Sequence, residues 1–379
     1  MNKSKSSSYV KLIAFFLVAA ILVFAFGFAA DGWQFNKIPD SGNINQNEQN
    51  NKNDEADENK NGNEGDAPTV KEESEEPEIY IPEHVNMLTG LETTEVLSRR
   101  RPIAFVMNSA SPLYAISSSE LIIELPIEDG TTRLLAYTTD TASLGKIGSL
   151  APTRDYISNL AKNFGAIIVS YGNDDTVSYE KCDASSATFD LTASIGYHYT
   201  EYTHYVYTNG DLINAGISNA NIGTAANNRH NLPYTFLPFG SDIIKGEQSA
   251  KSISIPYSQA STTELYYSSQ SNLYTLSKNG KEKTDMLNDT PLTFTNCFIL
   301  FADAVTYEDA HGTETVINTI GSGKGYYFTG GTAISINWSA KADGSMSFVG
   351  ANGEPLVINR GSSYISFMKS SKSTELIFS

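Results

Sequence analysis

The sequence predicts an α+β protein on a membrane anchor: one N-terminal transmembrane helix, then an N-terminal mixed α/β domain followed by a mostly antiparallel β domain. Three observations carry this. An uncharged apolar run of 19 residues, Leu12 to Ala30, lies near the amino terminus. Short apolar runs then alternate with a segment of helical period. From about Ser252 onward the chain is a series of alternating runs separated by two-residue turn signals. With 379 residues, 40% of them apolar and 11% aromatic, there is enough material for real cores.

The first element, LIAFFLVAAILVFAFGFAA at 12–30, is just long enough to cross hydrocarbon at about 1.5 Å per residue. Lys3, Lys5 and Lys11 before it and Asp31 after it make residues 1–11 a cytoplasmic stub and put the body outside a cell membrane crossed once. The alternative is a signal peptide cleaved after the small residues of Gly27-Phe28-Ala29, giving a secreted protein. A lipid anchor needs a cysteine directly after the apolar run, and the only cysteines are Cys182 and Cys297. In an extracytoplasmic body two such distant cysteines are expected to be free thiols, with Cys297 buried in FTNCFILF.

Residues 31–80 are expected to be an acidic disordered linker. NINQNEQNNKNDEADENKNGNEGDAP offers too little apolar surface to offset the entropy of ordering. From Asp31 to Tyr80 there are 14 acidic residues against 4 lysines, more than half of the chain's net charge of −17. A coil of this length spans roughly 35 to 40 Å, which would hold the body off the membrane. The body carries no basic stripe, so nucleic acid is not an expected partner.

The first domain is placed at 81–245. Its runs IAFVM (103–107), LIIEL (121–125), RLLAY (133–137) and AIIVS (166–170) read as central strands. Between them TRDYISNLAKNF, 153–164, puts Tyr156, Ile157, Leu160 and Phe164 on one helical face, with Thr153 as N-cap. The second domain, 246–379, is marked by hairpin signals at Asn279-Gly280, Asp343-Gly344 and Asn352-Gly353. Its GSGKGYYF, 321–328, imitates a phosphate loop but fails the test. Asn318 stands where the first glycine of such a loop belongs, Gly325 replaces the Ser or Thr after Lys324, and a strand follows instead of a helix. The expectation is a glycine turn leading into Tyr326-Tyr327-Phe328.

Several stretches, in this order, resemble the YerB-like family, known as domain of unknown function 3048. They are Arg101-Pro102-Ile103-Ala104, Glu124, Glu128 to Arg133, Lys146-Ile147-Gly148, Arg154, Tyr156, Gly172, His204 to Thr208, and Leu237 to Gly240. GSGKGYYFTGG, Ile336-Asn337-Trp338, Gly353-Glu354-Pro355-Leu356 and Ile358-Asn359-Arg360-Gly361 continue it through nearly the whole body. The resemblance implies a Gram-positive envelope protein, usually a lipoprotein, of unestablished biochemical role. Where relatives carry a first arginine, a histidine and an asparagine, this chain has Ala151, Ser170 and Tyr205. It would keep only part of any polar pocket those groups build.

The recurrent polar positions make Glu124, Glu128, Arg133, Arg154 and His204 the candidate binding pocket, since strand ends and helix starts of an α/β layer are where ligands bind. A plain ion pair of Arg154 with Glu124 or Glu128 accounts for the same residues. No catalytic residue is assigned. Glu124 and Glu128 on one strand would lie about 13 Å apart, too far for a carboxyl pair. Neither G-x-S-x-G nor H-E-x-x-H occurs. No cofactor or metal is expected, because His198 and His204 would sit roughly 20 Å apart along one strand. Tyr197, Tyr199, Tyr205 and Tyr207 would alternate with them, as an aromatic platform or as a half-buried sheet face. The resulting expectation is a noncatalytic binding or scaffolding module of the cell envelope, with peptidoglycan or envelope proteins as partners and the membrane engaged through the N-terminal helix. The alternatives are a cell-wall hydrolase centred on Glu124, Arg154 and His204, and a sporulation or division assembly component.

Overall fold

The computed structural model describes residues 80–127, 130–171, 188–190, 205–226, 232–309 and 312–379. The apolar run 12–30, the linker up to Ile79, Gly172, Cys182, Tyr197, His198, Tyr199, and the candidate residues Glu128 and His204 lie outside them. Among the described residues no helix is long and apolar enough to cross a membrane.

The protein is mostly β with few helices. One mixed sheet holds thirteen described strands. Its path runs through Met346–Gly350, Thr332–Ala340, Gly321–Thr329, Asn296–Ala302, Ser363–Lys369, Leu121–Pro126, Thr132–Thr138, Ile103–Asn108, Ile147–Leu150 and Val206–Thr208. The strands expected in the first half are all present, and Ile167–Ser170 joins Ile103–Asn108 in parallel. The expectation of mainly antiparallel pairing in the second half holds apart from Val357–Ile358, which pairs in parallel with Thr235–Phe236, and the strand at the centre. Ser363–Lys369 lies parallel to both of its neighbours, Asn296–Ala302 and Leu121–Pro126, so strands from both halves of the body share this sheet.

Because successive side chains leave a strand on opposite faces, the sheet presents two apolar surfaces. Ile103, Phe105 and Met107 face one way with Ile122, Leu134 and Ala136; Ala104 and Val106 face the other way with Ile123, Leu125 and Leu135. The first surface is covered by a second, six-stranded sheet that includes Ser252–Ser258, Ser261–Ser268 and Leu273–Lys278. Ile253, Ile255, Tyr257, Leu265, Tyr274 and Leu276 supply its contacts. The second surface is covered by the helix Asp155–Asn163, whose Tyr156, Ile157 and Leu160, followed by Phe164, are buried as their spacing requires. The helix begins at Asp155, one residue later than a Thr153 cap implies, and Arg154 stands immediately before it. The result is three layers: sheet, sheet and helix.

The hairpin signals are realised. Asn279 and Gly280 both adopt positive φ, 52° and 72°, in a tight turn between Leu273–Lys278 and Lys281–Glu282. GSGKGYYF corrects the sequence reading, since the whole of Gly321–Thr329 is strand and no turn precedes Tyr326. Gly323 is needed there for close approach. A Cβ would stand 2.3 Å from the Phe301 carbonyl oxygen and 2.6 Å from the Trp338 indole nitrogen, the pair joined by a 3.0 Å hydrogen bond. Gly323→Ala is therefore expected to destabilise the protein by about 2 kcal/mol or more in a denaturant titration. Gly145→Ala, with nothing within 4 Å of its Cβ, should stay within about 0.5 kcal/mol in the same denaturant titration.

Candidate functional site

Glu124 sits at the middle of the molecule, 1% exposed, on the face of its strand that meets the second sheet. Alternation forces this, because Glu124 shares its side with Ile122 and not with Ile123 and Leu125. Four residues on four other strands donate to its carboxylate. Lys278 Nζ donates to Oε1 at 2.6 Å, Thr263 Oγ1 donates to Oε2 at 2.9 Å, and the Thr132 and Tyr364 hydroxyls donate as well. Tyr364 and Thr132 come from the two strands that flank Leu121–Pro126 in the main sheet, and Thr263 and Lys278 reach down from the second sheet. Lys278 also donates to Thr132 and Thr263 at 3.1 and 3.0 Å and lies 4.8 Å from the centre of the Tyr257 ring. Every charge in this centre is paired, as burial demands.

The electrostatics follow. Burial raises the Glu124 pKa, but the Lys278 charge and the hydrogen bonds from Lys278, Thr132 and Tyr364 outweigh it, leaving the carboxyl below its ordinary 4.5. Burial and then the Glu124 charge push the Tyr364 hydroxyl well above its usual 10.0, which keeps it a donor. The sequence reading paired Glu124 with Arg154 or placed it beside Arg133. The structure brings neither to it. Arg133 alternates to the opposite face with Leu135, and the helix following Arg154 packs on that opposite face too. Arg154 is itself buried, 3% exposed, with its guanidinium donating to the Thr153 carbonyl at 3.3 Å. Lys278 was missed, although its place next to the Asn279-Gly280 turn fixed it as the last residue of a strand. What the sequence did not contain was the register of one sheet upon the other.

Above this centre opens a cleft of ≈ 490 Å³ between the loop 109–113 and the hairpin 278–284. Lys278, Lys281, Lys283, Ser109, Thr131 and Ser261 are among the residues lining it. Burial, followed by the charges of Lys278 and Lys281, holds Lys283 below the ordinary lysine pKa. A second groove of ≈ 610 Å³ lies over the strand containing Gly323 and Gly325, with Phe301, Lys324, Tyr326, Asn337 and Thr374 in its wall. Cys297 is buried, as its apolar run required. Among the described residues no group of three His, Cys, Asp or Glu could hold a metal ion.

Other residues that carried the resemblance are tied to backbone and rings elsewhere in the fold. Arg101 donates to the carbonyls of Gly165, Ala166 and Gly223 at 2.8, 3.2 and 3.1 Å. Arg360 lies 3.5 Å from the centre of the Phe239 ring and donates to the Gly90 carbonyl, while Leu237 donates its amide to Ile358. Asn359 ties its side chain to Ile244 and Thr329.

Comparison with known proteins places these motifs. Residues 88–223 match the family model "Protein of unknown function (DUF3048) N-terminal domain", and residues 253–365 match its C-terminal counterpart. The chain belongs to the DUF3048 family. It is 25% identical over 265 residues to "Putative lipoprotein YerB" of Bacillus subtilis (strain 168), covering 66% of this chain and 76% of that protein. Its fold is similar to a crystal structure of YerB protein from Bacillus subtilis, with a TM-score of 0.66 at 22% identity over 78% of this chain and 99% of that one. The Glu124 centre joins both DUF3048 segments, Glu124 and Thr132 from the first and Thr263, Lys278 and Tyr364 from the second.

A depressed carboxyl pKa stabilises the fold above the unfolded value and loses that contribution as pH falls through the folded value. Thermal unfolding between pH 7 and pH 3 is expected to show a falling Tm below about pH 4.5. In Glu124→Gln the starting Tm should be lower and this acid limb shallower. An unchanged limb would mean that other carboxyls account for it.

Proposed function

We propose that this protein is a noncatalytic binding or scaffolding module of the bacterial cell envelope. Its body, 81–379, would stand outside the membrane on the apolar segment 12–30 and the acidic tether 31–80, or be released if that segment is cleaved. The observation that carries the noncatalytic part is the state of Glu124. A general acid or nucleophile needs a carboxyl with reach to substrate and a pKa suited to its task. Glu124 is buried, paired with Lys278 and held ionised by hydroxyls on both sides. A hydrolase centred on Glu124 and Arg154 would also need the two to converge, and the sheet lies between Glu124 and the helix that follows Arg154.

The envelope location is supported by the apolar run and acidic tether in the sequence and by the lipoprotein name of the YerB relative. The binding role is supported by the two grooves that the sheets leave open. Peptidoglycan and envelope proteins are the partners this reading implies.

The test is pulldown of the full-length, detergent-solubilised chain on purified peptidoglycan sacculi, with the supernatant analysed for released muropeptides. Retention on sacculi with no new fragments is expected. Fragments that disappear with Glu124→Gln would overturn the noncatalytic reading, and passage of the chain into the unbound fraction would overturn peptidoglycan as its partner.

A further inference from the structure

The hairpin that carries Lys278 has a charge arrangement that folding alone does not favour. Lys278 and Lys281 are directly opposed cross-strand partners, and Lys283, two residues on, falls on the same side as Lys281. Like charges placed opposite one another destabilise a sheet. Lys278 is compensated by Glu124. Among the described residues no side-chain hydrogen bond or ion pair engages Lys281 or Lys283, in a chain whose net charge is −17 and which has acidic groups to spare.

A second, independent feature points into the same cleft. Ser261 is one of its lining residues, is only 4% exposed, and its buried hydroxyl has no hydrogen-bond partner. A buried hydroxyl without a partner costs about 1 to 3 kcal/mol unless a ligand or water meets it. The single carboxylate in the lining, Glu282, is exposed and alternates to the other side of its strand from Lys281 and Lys283. The cleft therefore combines two ammonium groups without a hydrogen-bond or ion-pair partner, of which Lys283 feels the Glu124 charge only at a distance, a third ammonium at its floor and an unpartnered hydroxyl in its lining, in ≈ 490 Å³.

We infer that the cleft between the loop 109–113 and the hairpin 278–284 binds a phosphoryl group, held by Lys281 and Lys283 with Ser261 donating from the wall. Lysines without arginine select this chemistry. Ammonium groups act as point charges that suit the three-fold array of phosphoryl oxygens, whereas a planar carboxylate is best matched by the guanidinium fork that this cleft lacks. The size admits a phosphate ester as well as the free ion. The inference deepens the binding-module reading by naming one ligand chemistry, and the two fail separately, because sacculus retention reads the one and small-anion titration the other.

The experiment is isothermal titration of the full-length chain, in a neutral detergent free of phosphate, with inorganic phosphate, glycerol 3-phosphate and acetate. Phosphoryl ligands are expected to bind at least about tenfold tighter than acetate, and the double variant Lys281→Ala/Lys283→Ala to lose about tenfold or more of that affinity. Ser261→Ala should lose about threefold or more, and Lys324→Ala, which lies in the other groove, should bind as the native chain does. Tighter binding of glycerol 3-phosphate identifies an esterified source, and tighter binding of inorganic phosphate a free one. Absence of binding by either, equal binding of acetate, or an unaffected double variant with a native circular dichroism spectrum would overturn the inference.

Discussion

The carboxylate of Glu124 is the constraint on which the architecture depends. Removing an ionised group from water is expensive, and only close, well-directed partners offset the loss. Here they come from both sheets at once, Thr132 and Tyr364 from the main sheet and Thr263 and Lys278 from the second. The apolar residues around them could tolerate small slips of one sheet over the other. The polar centre cannot, because a shift of one residue in either strand would turn Glu124 or Lys278 away and leave its partner buried and alone. A single ion pair thus fixes the register of the sandwich.

The same alternation decides which polar residues can form a site. Glu124, Arg133 and Arg154 looked like one pocket because they fall at recurrent family positions and at strand ends or a helix start. A strand separates neighbours as readily as it gathers them, and Arg133 is turned to the other face by the rule that buries Leu135. The strand runs, the apolar face of the Asp155–Asn163 helix and the Asn279-Gly280 hairpin were legible because each follows from local pattern. The parallel pairing of Ser363–Lys369 with Leu121–Pro126 and the Glu124–Lys278 pair were not, since both are contacts between segments more than 150 residues apart. GSGKGYYF lies between these cases. Its glycines suggested a turn, while their actual role, admitting the Phe301 carbonyl and the Trp338 ring, exists only once neighbouring strands are in place.

These features also explain how a family can be recognisable by order of motifs without disclosing a reaction. Arg101, Asn359, Arg360 and Trp338 are occupied in carbonyl, amide and ring contacts that hold loops to the sheets. Residues engaged in this way report the DUF3048 fold. The surface groups that remain unengaged, above all Lys281 and Lys283, lie on a hairpin whose turn could be read from sequence but whose cleft needs the loop 109–113 opposite it.

The central claim is that Glu124 and Lys278 act as one unit that locks the two sheets together. A double-mutant cycle with Glu124→Gln, Lys278→Met and their combination, read by denaturant unfolding of the full-length chain, addresses it most directly. Each single change should cost about 3 to 5 kcal/mol, and the double variant should recover part of that sum, a coupling of at least about 2 kcal/mol. Additive costs, with no coupling, would contradict the account.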